Sequence, residues 1–146
     1  MERLDVVLDT NVLYSALYSN QGASFLLLEQ VGRSPRFQIH LSVPLVLEYE
    51  EVLKRNSRIL GLKYQDIDDV IDYLCSVAEL HKVFFLWRPV LADSDDDMLL
   101  ELAVEARCDR VVTHNTRDFT GIERFGPRAV TPQHFRQEIG VILWAR

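Results

Sequence analysis

The sequence predicts an α/β domain: a mainly parallel sheet of four or five strands with helices on both faces. Three observations predict it. Short runs rich in Val and Leu, of a length suited to strands buried on both sides, punctuate the chain. Segments with apolar residues at helical spacing separate them, and that alternation implies parallel strands joined by helical crossovers. Acidic residues stand where strands give way to loops or helices, at Asp9 and Asp118 above all.

The elements follow in order. Leu4–Asp9 reads as a buried strand, and Asn11–Ser19 as a helix that Gln21-Gly22 breaks. Ala23–Val31 is helical until Gly32 and Pro35 stop it. Phe37–Leu41 is a second strand. Ser42 then caps a helix with Pro44 in its first turn, running to about Asn56. Asp66–Leu80 places Ile67, Val70, Ile71, Leu74, Cys75 and Ala78 on one face. Val83–Trp87 reads as a third strand, Asp95–Arg107 as a helix burying Leu99, Leu100, Ala103 and Ala106, and Arg110–Thr113 as a fourth strand. Ala129–Val130 is a short fifth before a helix at Pro132–Glu138.

With 146 residues and neither a repeat nor a linker, one domain spanning 1–146 is expected. Hydrophobic residues are 48% and charged residues 26%, the balance of a soluble globular protein. No apolar run approaches the ~20 residues that cross a bilayer, and the start lacks a signal-peptide pattern, so a cytoplasmic protein without a membrane partner is expected. Cys75 and Cys108 lie far apart in helical patterns and read as reduced, buried thiols. The formal charge of −6 argues against gripping nucleic acid by net charge, unless the carboxylates gather in one pocket where cations reverse the local sign.

Four acidic residues form that candidate pocket. Asp9 ends the first strand within Asp9-Thr10-Asn11, although a simple strand-end turn would use the same residues. Glu48 falls on or beside the stripe of Leu45 and Val52, while Glu50 and Glu51 point elsewhere; a side chain flanking the stripe and reaching water is its plainer account. Asp93-Ser94-Asp95-Asp96-Asp97 opens a helix. Ser94 with Asp97 fits a capping box, yet four carboxylates in five positions repel one another unless a cation relieves them. Asp96 is the expected ligand, with Asp97 as capping partner or outer neighbour. After the fourth strand, Thr113-His114-Asn115-Thr116-Arg117-Asp118-Phe119 brings hydroxyl, amide and carboxylate to the sheet edge that holds Asp9; an Asx-type turn is its plainer account. His114 reads as a surface histidine, since hard Mg²⁺ or Mn²⁺ prefers oxygen.

Taken together, Val7–Leu13, the Glu48 helix, Asp93–Ala103 and Val111–Phe119 resemble a PIN domain. The stretch from Gly121-Ile122-Glu123-Arg124-Phe125-Gly126 to Val130-Thr131-Pro132 also resembles the PIN-family toxins of toxin–antitoxin systems, relatives of VapC. The resemblance implies a three-layer α/β/α fold and an endoribonuclease dependent on Mg²⁺ or Mn²⁺. It implies Asp9, Glu48, Asp96 and Asp118 as catalytic, metal-holding residues, with Asp97 as the register alternative to Asp96. Asn11, Thr113 and Asn115 would support them. Many members carry an Asp where this chain has Asn115; others read Asn there and place the carboxylate before a Phe, as Asp118-Phe119 does. An RNA substrate, a small antitoxin partner and a homodimer are further implications. Lys54, Arg55, Arg58 and Lys63, the densest basic stretch, and Arg117 are candidate RNA contacts, although cations also simply suit helix ends. Leu26, Leu27 and Leu28 exceed what one buried stripe needs, a hint of an interface.

Other classes stay open at this level. A PIN-fold module that binds RNA or protein while cutting weakly or not at all is the alternative. Unrelated phosphate-handling folds fit worse: Asn11 stands where a dehalogenase-like phosphatase needs its second Asp, and Val83–Trp87 offers no phosphoacceptor Asp. Walker, His-Glu-x-x-His and nucleophile-elbow patterns are absent.

Overall fold

The computed structural model describes residues 3–83, 91 and 93–144. Five strands form one parallel sheet: β1 (Leu4–Leu8), β2 (Phe37–Ser42), β3 (Glu79–His81), β4 (Arg110–Val112) and β5 (Arg128–Val130), in the order β3-β2-β1-β4-β5. The helices among the described residues are α1 (Thr10–Tyr18), α2 (Ala23–Gln30), α3 (Val43–Arg55), α4 (Ser57–Leu60), α5 (Tyr64–Val77), α6 (Ser94–Glu105) and α7 (Pro132–Trp144). Val6, Val7 and Leu8 are consecutive and all buried, so both faces of the central strand are covered. None of these helices is long and apolar enough to cross a membrane.

The order of strands fixes where a site can form. From β1 the chain steps outward through β2 to β3, then returns across the sheet to lay β4 and β5 on the other side of β1. The direction of winding reverses between β1 and β4. Beyond the carboxyl ends of those two strands the crossovers diverge and leave a crevice, where ligands bind in open α/β sheets.

Local chemistry explains the boundaries. Ser42 caps α3, its Oγ accepting from the Leu45 N–H at 3.4 Å, and Leu45, Tyr49 and Leu53 form the buried stripe. The helix expected over Asp66–Leu80 starts earlier and stops sooner. The Asp66 carboxylate accepts the Lys63 N–H at 2.9 Å, which secures the first turn. Ala78 is extended, and Glu79–His81 pairs with His40–Ser42 as the edge strand. The pairing of backbone groups with β2 thus outweighs the helical spacing of the last three residues. Of the strand expected at Val83–Trp87, all but Val83 lies outside the described residues. At the last helix, Phe135 and Ile139 carry the buried stripe past Glu138, and Phe135 meets Phe37 edge-on at 5.4 Å. Both thiols are free, but only Cys108 is buried; Cys75 is half-buried.

Candidate active site

Asp9 is the first residue beyond β1, and Thr113 the first beyond β4. Each is held by the neighbouring strand: the Asp9 N–H donates to the Val112 carbonyl at 2.9 Å, and the Thr113 N–H to the Val130 carbonyl at the same length. The fully buried Thr113 hydroxyl donates to Asp9 Oδ2 at 2.8 Å and accepts the Asn115 N–H at 3.0 Å. Asn11 closes the group. Its Nδ2 lies 3.3 Å from Asp9 Oδ2 and 3.2 Å from Thr113 Oγ1, and its Oδ1 accepts the His114 N–H at 3.2 Å. The three residues expected as polar support therefore sit around Asp9. Only the backbone N–H of Asn115, not its amide, is placed there by a hydrogen bond. His114 is exposed and meets Ser24 Oγ through Nε2 at 2.8 Å.

The other carboxylates arrive from two helices and a 3-10 turn. Glu48 lies beside the buried stripe of α3 and accepts a hydrogen bond from the Thr10 hydroxyl. Tyr49, next to it, is fully buried and donates its hydroxyl to the Leu8 carbonyl, which fastens α3 to the end of β1. Asp96 stands in the first turn of α6. The cap of that helix differs from the expected box: Asp93 is the N-cap, accepting the Asp95 N–H at 2.8 Å, and Ser94 is already helical. Asp97 accepts the Leu91 N–H at 2.9 Å, which ties Leu91 to the first turn of α6. Asp118 is exposed in the turn Thr116–Phe119, while Phe119 beside it is buried and anchors that turn.

Electrostatics ties these side chains into one field. Burial lifts the Asp9 carboxyl above its ordinary range, the Thr113 hydrogen bond and the Thr10 and Asn11 N–H groups oppose the rise, and the Asp118 charge adds to it. Burial and then the charge of Asp9, followed by Asp93, Asp118 and Asp95, push Asp96 up to about 7. Glu48 also rises to about 7, through burial, the charge and hydrogen bond of Asp95, and the charge of Asp9, against the Thr10 hydrogen bond. Acidic groups raised by burial and by one another at a sheet's switch point are characteristic of functional sites.

The PIN domain family model matches residues 5–117, which run from β1 into the turn that holds Asp118. The chain belongs to the PIN domain family. Among solved structures it is similar to a chain of VapBC2 from Rickettsia felis, described as bound to a DNA fragment from their promoter. The identity is 14%, the TM-score 0.59, and the match covers 88% of this chain and 98% of that one. At that identity the likeness establishes the fold. A search of curated proteins gives no significant match.

The donor set of this PIN domain suits a hard divalent cation, being all oxygen and short of positive charge. Its spacing is open: among the described residues, the group whose three ligand atoms all lie within 4.8 Å of one another is His40, Glu79 and His81, not any three of the carboxylates. Two further residues join the group beyond those expected from the sequence, Thr10 and Asp95. Thr10 was visible in Asp9-Thr10-Asn11, but nothing in the sequence points its hydroxyl at Glu48. Asp95 was obscured by its acidic neighbours.

Positive charge near the site is partly committed. Lys54 Nζ lies 2.8 Å from Asp68 and 3.1 Å from Glu50, and Arg55 Nη1 lies 3.3 Å from Glu51. Helical i,i+4 spacing makes two of these pairs. Arg58, Lys63 and Arg117 are exposed. A cleft of about 260 Å³ opens beside Glu48, lined also by Glu51, Arg55, Asp95 and Met98.

Proposed function

We propose that this PIN domain is a metal-dependent endoribonuclease that hydrolyses RNA phosphodiester bonds, acting as the toxin of a toxin–antitoxin pair. One observation carries the proposal: at the switch point between β1 and β4 the charge of Asp9 reaches both Glu48 and Asp96, and that of Asp118 reaches Asp9 and Asp96. Asp9, Asp96 and Asp118 would hold Mg²⁺ or Mn²⁺, with Glu48 holding an ion or orienting the attacking water. When bound, the cation neutralises phosphate oxygens and lowers the pKa of water.

The chain's own residues have separate tasks. Thr113 and Asn11 fix the Asp9 carboxylate and oppose the rise that burial imposes on it. The Thr10 hydroxyl likewise opposes the rise that burial imposes on Glu48. A Glu48 pKa of about 7 suits proton exchange with water near neutral pH. Arg55 at the cleft wall, with Arg58, Lys63 and Arg117, would meet the RNA backbone; Lys54 is held more firmly by its two acidic partners. Exposed ion pairs are weak, so the Glu51 contact leaves Arg55 available.

The likeness to a chain of a VapBC2 complex supports a cognate antitoxin as partner. Leu26 and Leu28 stay at least partly accessible on α2 while Leu27 is buried, in keeping with pairing of two copies. A cytoplasmic location follows from this reading.

Incubation of the purified chain with mixed RNAs and Mn²⁺ or Mg²⁺ tests the proposal. Cleavage is expected, and EDTA should stop it. Asp9→Asn and Asp96→Asn should remain folded by circular dichroism and lose more than about 100-fold in rate, beyond the ~10–100-fold typical of losing an outer partner. The open spacing of the carboxylates favours a second reading, an RNA- or protein-binding module with weak or no cleavage. Intact RNA with every ion tried would decide for it.

A further inference from the structure

The opposite part of the sheet carries a cluster with different chemistry. The register pairs His40 with Glu79 and Ser42 with His81. Paired residues in a parallel sheet project to one face, and residues two apart in a strand do too, so His40, Glu79 and His81 emerge together. Asp5 joins them, because it pairs with Gln38, two residues before His40. His40 Nδ1 lies 2.7 Å from His81 Nε2 and 3.6 Å from Glu79 Oε2. His40 Nε2 lies 2.9 Å from Asp5 Oδ1, and Arg3 Nη2 stands 3.6 Å from both Asp5 and Glu79.

We propose that His40 Nδ1, His81 Nε2 and a Glu79 oxygen form a binding site for a borderline divalent transition-metal ion of the Zn²⁺ class, separate from the carboxylate crevice. All three ligand atoms already lie within 4.8 Å of one another. Two imidazoles and one carboxylate suit Zn²⁺, Co²⁺, Ni²⁺ or Cu²⁺ and discriminate against Mg²⁺. The outer partner is in place as well. A carboxylate only accepts, so Asp5 fixes the proton of His40 on Nε2 and leaves the Nδ1 lone pair directed at the cluster, the arrangement that orients metal-bound histidines. Two imidazole nitrogens on a tetrahedral ion stand about 3.3 Å apart. Opening the present 2.7 Å therefore takes a sub-ångström shift of His81, which is on the sheet-edge strand and only half-buried. His81 would carry its proton on Nδ1, so binding needs a tautomer change and no net proton loss. The Glu79 side chain is 51% exposed, which leaves an entry path and an open position for water. Bound there, the ion would tie β3 to β2.

Co²⁺ is the direct probe, because its visible bands separate a low-coordinate, nitrogen-ligated ion from an octahedral oxygen-bound one. The full chain, held in excess Mg²⁺ to occupy the acidic crevice, is expected to take up one equivalent of Co²⁺ with intense low-coordinate bands. Zn²⁺ should displace it and raise the melting temperature. His81→Ala should abolish the bands, Glu79→Gln should weaken binding, and Asp5→Asn should weaken it about 10–100-fold through the loosened His40. His40 is buried, so the exposed Glu79 serves as the variant least at risk of misfolding. Absence of Co²⁺ uptake under excess Mg²⁺, or uptake unchanged in both His81→Ala and Glu79→Gln, would overturn the proposal. Neither result depends on whether the chain cuts RNA.

Discussion

A single hydroxyl does much to set the state of Asp9. Burial favours the neutral acid, and Thr113 opposes it by donating to Oδ2 at 2.8 Å. Thr113→Val keeps the shape and removes that donor, so the Asp9 pKa should climb further. The acidic limb of the cleavage pH profile should then move to higher pH, with kcat falling most below neutrality. The Asn115 N–H also loses its acceptor, and stability should drop by about 1–3 kcal/mol in urea titrations. An unmoved pH profile would show that Thr113 is only a packing residue.

At the level of elements, the site depends on how helices are fastened to strand ends. Tyr49 pins α3 to the end of β1, and with it Glu48; Asp93 and Asp97 together set the start of α6, and with it Asp96. A different joint sits at Gly32, after α2, where φ is +77°. A Cβ there would lie 2.7 Å from Tyr73 Oη and 2.8 Å from Val77 Cγ1. The tyrosine tip can swing, although it donates to the Val31 carbonyl at 2.6 Å; the valine cannot. Gly32→Ala is therefore expected to cost about 1–3 kcal/mol from the clash, with left-handed backbone strain in addition. Chemical denaturation measures it, and a neutral result would mean that α5 yields easily against α2.

Across the whole molecule, the crevice makes stability depend on pH in an unusual direction. Folded Glu48 and Asp96 carry pKa values of about 7, against ordinary values of 4.5 and 3.8. Between those limits the folded chain holds more protons than the unfolded one, so stability falls as pH rises through the window and levels off above about 7. Most small proteins gain stability over that range from paired carboxylates. Without divalent cations, the melting temperature should decline from about pH 5 to about pH 8, and Asp96→Asn should flatten the decline. Added Mg²⁺ or Mn²⁺ should restore stability at the upper end, because a cation compensates the burial, and then the repulsion, that raise the two groups. A melting temperature that rises with pH without cations would contradict this account.

Apart from the edge strand β3, the sequence alone determined the alternation of strands and helices, and with it the parallel sheet, because hydrophobic period and caps are local properties. The residues just beyond β1 and β4 were legible for the same reason: Asp9, Asn11 and Thr113 follow runs of Val and Leu too short for anything but strands. Contacts across the sheet were not legible. Register alone brings His40 to Glu79 and His81, which the sequence spreads over two distant segments, one of them read as the end of a helix. Convergence in space likewise decided that Thr10 meets Glu48 and that Asp95 shares its field. Hydrogen bonds between side chains depend on a three-dimensional path that no spacing along the chain records. Tertiary packing therefore settled which acids share a charge environment, whereas the linear order settled only which of them stand at strand ends.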